Sequence, residues 1–466
     1  MTLAIDVLPA TTVADPAHPG LPAVAGAGLR VPLVTGERIG YANLDHAASA
    51  PCLATVQDAV DELLPWYASV HRGAGFASQV CTRVYEQARQ TLREFVGARA
   101  RDEVVFTRNT TDALNLLARS LPKDTSVVVF DTEHHAALLP WRGPRVHRIS
   151  TPPTRAAAVS AVDSALTACE EGPRLLVVTG ASNVTGEVFP VAELAAVARR
   201  HGARIALDAA QLAPHRRISI RELDVDYLAL SGHKLYAPFG AGALIGRADW
   251  LRAAPPYLAG GGASKVVRRQ GDALGVVWNT GPQRHEAGSP NTVGVHALSV
   301  ACTELARRWD AVAEHERRLH ARLRRGLASV PGSTELRLFT DTTAPADQVG
   351  TLSLVVDGFE PGWLAAVLSA EHGIGVRDGA FCAHLATRGL IARTGVPARQ
   401  ALRVSLGLGT TVDHVDRLVC ALRGLVTRGA RWSYAQQDGR WVPSPDPRPL
   451  PSFLAAGPHG AEGSPR

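Results

Sequence analysis

Short apolar runs alternate with amphipathic segments along the first two thirds of the chain. The runs that predict buried strands are VVFT (104–107), VVVF (127–130), LLVVTG (175–180), IALDAAQ (205–211) and VDYLALSG (225–232). Segments with helical periodicity lie between them, for example TDALNLLARSL and VAELAAVARR. Strands that alternate with helices are typical of an α/β fold with a mainly parallel, doubly wound sheet. We therefore predict a large domain of this kind over residues 41–295.

The pattern changes beyond residue 295. The segment AVAEHERRLHARLRRGLASV predicts an amphipathic helix, and LSLVVDG and ALRVSLG predict strands that are separated by further helices. This arrangement indicates a smaller α+β domain over 296–430. Residues 1–40 are rich in Ala, Pro and Gly and predict a partly disordered arm. The Pro-rich residues 431–466 predict an irregular tail with a disordered end.

Composition narrows the possible functions. The chain has 466 residues, of which 46% are hydrophobic, and this length suits two domains at roughly 100–200 residues each. Among its 49 basic residues only Lys123, Lys234 and Lys265 are lysine. None of them follows a glycine, which excludes a P-loop nucleotidase. The net charge of +6 comes without a basic stripe interleaved with aromatic residues, so nucleic-acid binding has little support.

Targeting and metal signals are weak in this sequence. The N-terminus has no basic n-region, and no run reaches the ~18 apolar residues of a membrane span, so we expect a cytoplasmic protein that does not bind membranes. The six cysteines show no C-x-x-C spacing, which favours reduced thiols over disulfides or a zinc cluster. The adjacent Glu133, His134 and His135 lack the spacing of a metalloprotease motif, and we predict no metal site.

Polar residues follow several of the predicted strands, where ligands bind in sheets of this kind. The four loops concerned are RNTTDALN (108–115), DTEHHAALLPW (131–141), DAAQLAPH (208–215) and SGHKLYAPFG (231–240). The first loop starts a helix, and its hydroxyl and backbone N–H groups suit a phosphate at the positive end of the helix dipole. An ordinary helix N-cap explains the same residues.

Asp208 and Lys234 each follow an apolar strand. A carboxylate in that position needs a cationic or hydrogen-bonding partner, such as a protonated ring nitrogen, and a lysine there can form a Schiff base. Taken singly, each is equally explained as an ion-paired residue. With a phosphate-binding helix start they match the needs of a pyridoxal 5′-phosphate (PLP) site. Arginine cannot replace a Schiff-base lysine, so Lys234 stands out in this lysine-poor chain.

Ten segments carry a resemblance to the class V aminotransferase superfamily of PLP fold type I, and within it to the group II cysteine desulfurases. They follow one another in order over about residues 40–428. The segments are LDHAASAP (44–51), SVHRGAGFAS (69–78), FTRNTTDALN (106–115), EHHAALLPW (133–141), SNVTGE (182–187), LDAAQ (207–211), SGHKLYAPFGAG (231–242), HEAGSPN (285–291), GVRDGAFCAH (375–384) and ALRVSLG (401–407). The resemblance implies fold type I with a mainly parallel large domain, and a homodimer.

The resemblance also implies roles around the cofactor. Lys234 would form the Schiff base with PLP and move the Cα proton, Asp208 would pair with the pyridinium nitrogen, and His134 would stack on the ring. Gln211 would contact the ring oxygen, and Asn183 would line both cofactor and substrate. The residues implied to bind the phosphate are Thr110, Thr111, Ser231, His233 and Ser289 of the partner subunit.

On the substrate side, the resemblance assigns the substrate carboxylate to Arg403, whose planar fork suits a carboxylate. Arg377 and His71 match further substrate-side positions. Cys382 matches the thiol that attacks the substrate sulfur and becomes a persulfide. A loop thiol near Arg377, His384 and Arg403 favours the thiolate, whereas the alternative is a buried cysteine that acts as a small apolar residue.

The implied function is a PLP-dependent enzyme that converts L-cysteine to alanine through a Cys382 persulfide, with a possible sulfur-acceptor protein as partner. The alternative is a PLP-dependent C–S lyase, epimerase or aminotransferase of a specialised biosynthetic pathway. A third hypothesis is a PLP-fold binding or sulfur-relay protein without turnover. The retention of Lys234, Asp208, His134 and Arg403 argues against that third hypothesis, because a protein without turnover does not need all four.

Overall fold

The computed structural model describes residues 20–342, 344 and 347–455. The start of the predicted arm and the last eleven residues of the predicted tail lie outside this part of the chain. The strands are β1 (Arg30–Pro32), β2 (Arg38–Gly40), β3 (Ala42–Asn43), β4 (Asp102–Thr107), β5 (Ser126–Phe130), β6 (Val146–Ile149), β7 (Arg174–Thr179), β8 (Arg204–Asp208), β9 (Tyr227–Ser231), β10 (Gly242–Arg247), β11 (Ser264–Gln270), β12 (Ala273–Trp278), β13 (Ser333–Glu335), β14 (Thr351–Val356), β15 (Ile374–Gly375), β16 (Arg377–Gly379), β17 (Ala401–Ser405), β18 (Tyr434–Gln437) and β19 (Arg440–Pro443).

Helices pack on the two largest sheets of the described chain, one of seven strands and one of four. They are α1 (Ala54–Leu63), α2 (Phe76–Phe95), α3 (Thr110–Arg119), α4 (His135–Leu138), α5 (Arg155–Thr167), α6 (Val191–Arg200), α7 (Ala248–Ala253), α8 (Thr292–Ala306), α9 (Trp309–Leu327), α10 (Pro361–His372), α11 (His384–Thr394), α12 (Val412–Arg428) and α13 (Ser452–Ala455), with 3-10 turns at Leu64–Trp66 and Pro282–Arg284. None of the described helices is long and apolar enough to cross a membrane.

The large sheet has seven strands in the order β4-β10-β9-β8-β7-β5-β6. Among the strands described in this sheet, β10 alone runs antiparallel to its neighbours β4 and β9. The other neighbours pair in parallel, which confirms the predicted mainly parallel α/β sheet. Because β4 and β9 both oppose β10, the carboxyl ends of β4, β5, β7, β8 and β9 meet at one edge.

The central strands of this sheet are apolar throughout because helices cover both of its faces. In β5, Val128 and Phe130 face the core that α2, α5, α6 and α8 share, whereas Val127 and Val129 face the core under α3, α4 and α7. This alternation follows from the two-residue period of a strand. The apolar runs of the sequence therefore reveal these strands, although they do not reveal which face each helix covers.

A smaller domain is built on the four-stranded antiparallel sheet β13-β14-β17-β16. Helices α9, α10 and α12 pack on it through a separate core that includes Leu319, Leu364 and Leu418. This arrangement confirms the predicted α+β class of the second domain. Helix α8 packs in the large-domain core instead. We therefore propose that the small domain begins at α9 rather than at residue 296.

Both ends of the described chain form hairpins that pack on the small domain. Strands β1 and β2 pair where the sequence predicts an irregular arm. The side chains of Val31, Leu33 and Ile39 approach Gly373. Gly373 is left-handed with φ 62°, and a Cβ there would clash with Ile39, so this position requires glycine for the hairpin to pack on α10. At the other end, β18 and β19 pair within the predicted irregular tail, and Tyr434 contacts the ring of Trp363.

Candidate active site

A cavity of about 220 Å³ lies at the carboxyl edge of the large sheet, where the small domain meets it. Loops that follow β4, β5, β7, β8 and β9 form one wall, and β16, β17 and the loop before α11 form the other. The predicted site residues that line it are Thr110, Thr111, His134, Asn183, Asp208, Gln211, Ser231, His233, Lys234, Arg377, Cys382 and Arg403. The fold therefore gathers residues that are up to 293 positions apart in sequence.

The start of α3 forms the hydroxyl-rich end of the cavity. Asn109 caps the helix by accepting a hydrogen bond from the Asp112 N–H at 3.0 Å. The Thr110 N–H donates to the Ser231 hydroxyl at 2.8 Å, which joins the helix start to the end of β9. A Cβ on Gly242 would meet the Asn109 Cα at 2.7 Å, so this close approach requires glycine. Asn109 therefore caps this helix, and the hydroxyl groups beside it line the cavity, where they suit an anion.

Lys234 lies in the turn after β9, in the same cavity as Asp208. The turn is fixed by the Ala50 N–H, which donates to the carbonyl oxygen of His233 at 2.8 Å. Burial and the charge of Arg403 lower the pKa of Lys234, Asp208 opposes the shift, and the net pKa is about 8. About a tenth of this amine is therefore uncharged at pH 7, and the uncharged form is the one that attacks carbonyl groups.

Asp208 ends β8 and is 3% exposed. Its Oδ1 accepts a hydrogen bond from the Ala210 N–H at 2.9 Å. Burial raises the pKa of Asp208, whereas this hydrogen bond and the charge of Lys234 oppose the rise. A buried carboxylate gains from a further cationic partner, and the protonated nitrogen of a pyridine ring is one.

Glu133 is a second buried carboxyl group beside the cavity, and sequence reasoning considered it only as a metal ligand. Its Oε1 accepts a hydrogen bond from the Thr179 N–H at 3.0 Å, and Thr179 pairs with Asp208 across β7 and β8. Burial first, and the charge of Asp208 second, raise the pKa of Glu133 well above its ordinary value. The signal for this residue was its position in the loop that follows the buried strand β5. The described residues contain no group of three or more metal-binding side chains.

His134 is the N-cap residue of α4 and lines the cavity. Its Nδ1 accepts a hydrogen bond from the Ala136 N–H at 3.0 Å, which fixes the plane of the ring. Burial, followed by the charge of Lys234, lowers the pKa of His134 to about 3. The same two causes lower the pKa of His233 to about 4. Both rings are therefore neutral at physiological pH, and a neutral, fixed imidazole suits stacking on an aromatic ring.

Arg403 supplies a buried cation from β17. It is 3% exposed, donates to the carbonyl oxygen of Asn183 at 3.0 Å and pairs with Asp45 at 3.1 Å. Its Nε has no partner within the described chain. Burial lowers the pKa of Arg403, and Asp45 opposes that shift. Asp45 also pairs with Arg377 at 3.6 Å, so this aspartate, which sequence reasoning missed, links the two arginines. The unpartnered donor and the charge together suit a carboxylate ligand.

Cys382 lies exposed in the loop between β16 and α11 and lines the cavity. Phe381 and Cys382 both adopt left-handed conformations with φ 53°. Such conformations cost about 1–3 kcal/mol for residues other than glycine and are found where the surroundings hold them. Here the Asn183 side chain donates to the Phe381 carbonyl at 2.7 Å, and the His135 N–H donates to the Cys382 carbonyl at 2.8 Å. The alternative of a buried, apolar Cys382 is therefore wrong.

Two predicted residues lie outside the cavity of this chain. His71 is held away from it because its N–H donates to the Thr82 hydroxyl and its ring contacts Glu86, both at 2.8 Å. Ser289 is exposed in the loop before α8. The substrate-side role of His71 and the phosphate-side role of Ser289 of the partner subunit therefore stay predictions.

The donor set of the cavity fits PLP. Lys234 offers a partly uncharged amine, Asp208 offers a buried carboxylate for a pyridinium nitrogen, and the start of α3 offers hydroxyl groups at a helix dipole. The unpartnered Nε of Arg403 then remains for the substrate carboxylate.

The chain is similar to proteins of known class. Residues 42–418 match the family model described as Aminotransferase class-V. The cysteine desulfurase of Dickeya dadantii is 34% identical over 84% of this chain and 92% of its own length. The apo structure of the cysteine desulfurase of Thermococcus onnurineus NA1 superposes with a TM-score of 0.73 at 29% identity, covering 83% of this chain and 94% of its own. For the cysteine desulfurase CsdA of Escherichia coli the TM-score is 0.69 at 30% identity, with 82% and 94% covered.

Proposed function

This chain belongs to the class-V aminotransferase family, and on that basis we propose that it is a PLP-dependent enzyme that removes sulfur from L-cysteine to give alanine. The curated relatives and structures named above are cysteine desulfurases. The single observation that carries the proposal is that Lys234, Asp208, Arg403 and the exposed Cys382 line one cavity. The first three suit cofactor and substrate binding, and the thiol supplies the step that defines a desulfurase.

PLP, when bound, supplies an electron sink for the substrate Cα. Asp208 would keep the ring nitrogen protonated through its buried carboxylate, and His134 would pack on the ring face. The hydroxyl groups of Thr110, Thr111 and Ser231 would bind the phosphate. Lys234 then removes the proton from the substrate Cα, a transfer of the kind that contributes about 10²–10⁴-fold to rates.

The substrate is held by its carboxylate. The guanidinium of Arg403 donates to that carboxylate, while it keeps its hydrogen bonds to the Asn183 carbonyl oxygen and to Asp45. The guanidinium is rigid because it also lies 5.0 Å from the ring centre of Phe381. This fixed geometry positions the substrate Cα for Lys234 and the substrate sulfur for Cys382.

Sulfur leaves by nucleophilic attack. The thiolate of Cys382 attacks the substrate sulfur, so that an S–S bond forms and the Cβ–S bond breaks. The electron pair of the broken bond stays with the carbon fragment, which gains a proton at Cβ and takes back the Cα proton from Lys234 to become alanine. Cys382 ends as a persulfide, and the balance of atoms and electrons needs no external oxidant. An acceptor protein with a thiol then takes the terminal sulfur.

We also propose that the active form is a homodimer in which Ser289 of the partner subunit completes the phosphate site. The exposed position of Ser289 outside its own cavity supports this proposal. A dimer also explains why Ser289, in the segment HEAGSPN that carries the resemblance, lies away from the cavity of its own chain. Sedimentation of the holoenzyme, with and without Ser289→Ala, tests both points.

A product analysis tests the main proposal. Purified holoenzyme is incubated with L-cysteine, and alanine, sulfide, pyruvate and ammonia are measured together. Alanine with an equal amount of sulfur, before or after reduction, supports desulfuration. Pyruvate and ammonia in place of alanine would mean C–S lysis instead. Cys382→Ser abolishes alanine formation if the proposal is right, and Cys420→Ser is the matched control because Cys420 is also exposed but lies on α12, away from the cavity.

A further inference from the structure

The chain continues beyond the end of the family match at residue 418 and forms the hairpin β18–β19 there. A buried carboxylate fixes this hairpin to the small domain. Glu371, near the end of α10, accepts hydrogen bonds from the Arg431 and Trp432 N–H groups at 3.0 Å and from the Tyr434 hydroxyl at 3.1 Å. These donors all lie beyond residue 428, in the segment that we call the C-terminal extension (429–455). The hairpin is therefore an integral part of the small domain.

The second strand of the hairpin lies against the start of α10. The indole N–H of Trp441 donates to Glu360 at 2.8 Å. A Cβ on Gly362 would lie 3.4 Å from the Trp441 ring, an ordinary van der Waals contact, so the hairpin packs directly on this helix. The extension is thereby held beside β16, the strand that carries Arg377.

A cavity of about 640 Å³ lies between the hairpin, α10 and β16. Arg377 lines both this cavity and the active-site cavity. Asp45 lines the new cavity and pairs with Arg377 at 3.6 Å and with Arg403 at 3.1 Å. The Arg377–Asp45 pair is therefore the partition between the two cavities.

Breaking the Arg377–Asp45 ion pair, and so joining the two cavities, costs little free energy. The side chain of Arg377 is 50% exposed, and its ion pair with Asp45 is long. Ion pairs of this exposed kind contribute about 0–1 kcal/mol. Arg403 is unaffected by such a movement, because it keeps its bonds to Asp45 and to the carbonyl oxygen of Asn183.

The lining of the second cavity has unused polar groups. Within the described chain, the solvent-exposed side chains of Asp378, Gln400, Gln436 and Arg440 line it and make no hydrogen bond or ion pair with other described residues. The set comprises one anion, one cation and two amides. An α-amino-acid group, with its ammonium and carboxylate, complements that set, since the ammonium pairs with Asp378 and the carboxylate pairs with Arg440.

We propose that this cavity binds the far amino-acid end of a sulfur compound in which two amino-acid units are joined through sulfur, while the near end occupies the site at Arg403. The proposal rests on the proposed function, because the near end must bind as an amino-acid substrate. It adds a specificity site built by the C-terminal extension.

Calorimetric titration of the holoenzyme tests this site without relying on turnover. The probes are L-cystathionine, which has two amino-acid ends joined by a thioether, and L-alanine, which has one. The parent protein binds L-cystathionine more tightly than L-alanine. Arg440→Ala and Asp378→Asn each lower the affinity for L-cystathionine by up to about fivefold relative to that for L-alanine, as the loss of one exposed ion pair predicts. Gln437→Ala is the matched control, because Gln437 lies on the same exposed hairpin outside the cavity lining.

Three outcomes would overturn the proposal. The first is equal affinity of the parent for both probes, and the second is an unchanged preference in Arg440→Ala and Asp378→Asn. The third is an equal loss in the Gln437→Ala control, which would indicate a general disturbance of the hairpin. Thermal unfolding of each variant shows whether the hairpin is intact. Alanine release from L-cysteine is measured separately, so failure of the proposed desulfurase function is distinguishable from failure of this site.

Discussion

The two walls of the active-site cavity are built in different ways. The large-domain wall consists of residues at the ends of buried parallel strands, such as Asp208 and Ser231, which are 3% exposed. The small-domain wall has an exposed Cys382 in a left-handed loop that is held by carbonyl hydrogen bonds. The first wall suits a cofactor that must keep one position. The second suits the step that distinguishes one reaction of the family from another.

Among the variants that test this difference between the walls, Lys234→Ala has the largest expected effect on activity. Lys234→Ala removes the amine that we propose to bind the cofactor and to move the Cα proton, so alanine formation falls by about 10²–10⁴-fold and the visible absorption of the Schiff base is lost. Steady-state kinetics and absorption spectra measure both. Lys265→Ala, at an exposed position on β11, behaves like the parent. A Lys234→Ala protein with the parent's absorption spectrum and the parent's rate of alanine formation would show that Lys234 is assigned wrongly.

Arg403→Lys has the next largest effect. Lysine keeps the charge but loses the fork that donates simultaneously to the Asn183 carbonyl, Asp45 and the substrate. We expect KM for L-cysteine to rise about 10–100-fold, from the loss of one or two charge-assisted hydrogen bonds, while cofactor absorption stays unchanged. An unaltered KM would mean that the substrate carboxylate binds elsewhere.

The pKa of Lys234 predicts a pH dependence of cofactor uptake. Only the uncharged amine attacks the aldehyde of the cofactor, so uptake by the apoprotein is slow at low pH and rises through a midpoint near pH 8. The negative charge of Asp208 raises the pKa of this amine, and Asp208→Asn therefore moves the midpoint to lower pH. Stopped-flow absorption at a series of pH values measures the uptake rate. A midpoint that stays in place or rises in Asp208→Asn would contradict the coupling of these two residues.

The smallest expected effect concerns stability. Glycine tolerates the left-handed conformation of Cys382, and this relief offsets the greater freedom of glycine in the unfolded chain, so Cys382→Gly changes the free energy of unfolding by less than about 1 kcal/mol. By contrast, Leu207→Ala in the buried strand β8 costs about 2–5 kcal/mol. Denaturant unfolding compares the two variants. A cost for Cys382→Gly as large as that for Leu207→Ala would show that the two walls do not differ in packing.

The sequence predicted the large-domain wall well because its residues follow regular apolar strands. The run before Asp208 and the motif around Lys234 locate both residues at the same edge of a parallel sheet. The seven-stranded order, with β10 reversed, was not readable because pairing between distant strands leaves no local pattern. Glu133 follows a buried strand in the same way, yet its role is visible only once Thr179 and Asp208 are seen side by side.

The small-domain wall was less predictable from local pattern. Cys382 and Arg403 were found through the resemblance, whereas Asp45 was missed because its two arginine partners are more than 300 residues away. The hairpin β18–β19 was predicted as an irregular tail, since its prolines hide the short strands and its stability comes from Glu371 on a distant helix. Contacts of this kind depend on tertiary structure and have no sequence signature.

The central claim is that Cys382 takes sulfur from L-cysteine, and mass spectrometry of the peptide that contains it tests the claim most directly. The holoenzyme is incubated with L-cysteine in the absence of reductant, alkylated and digested. The account predicts one additional sulfur atom on the Cys382 peptide, none on the Cys420 peptide, and one alanine released for each sulfur bound. Release of alanine at the parent rate by Cys382→Ser, with no additional sulfur on Cys382 in the parent protein, would contradict it.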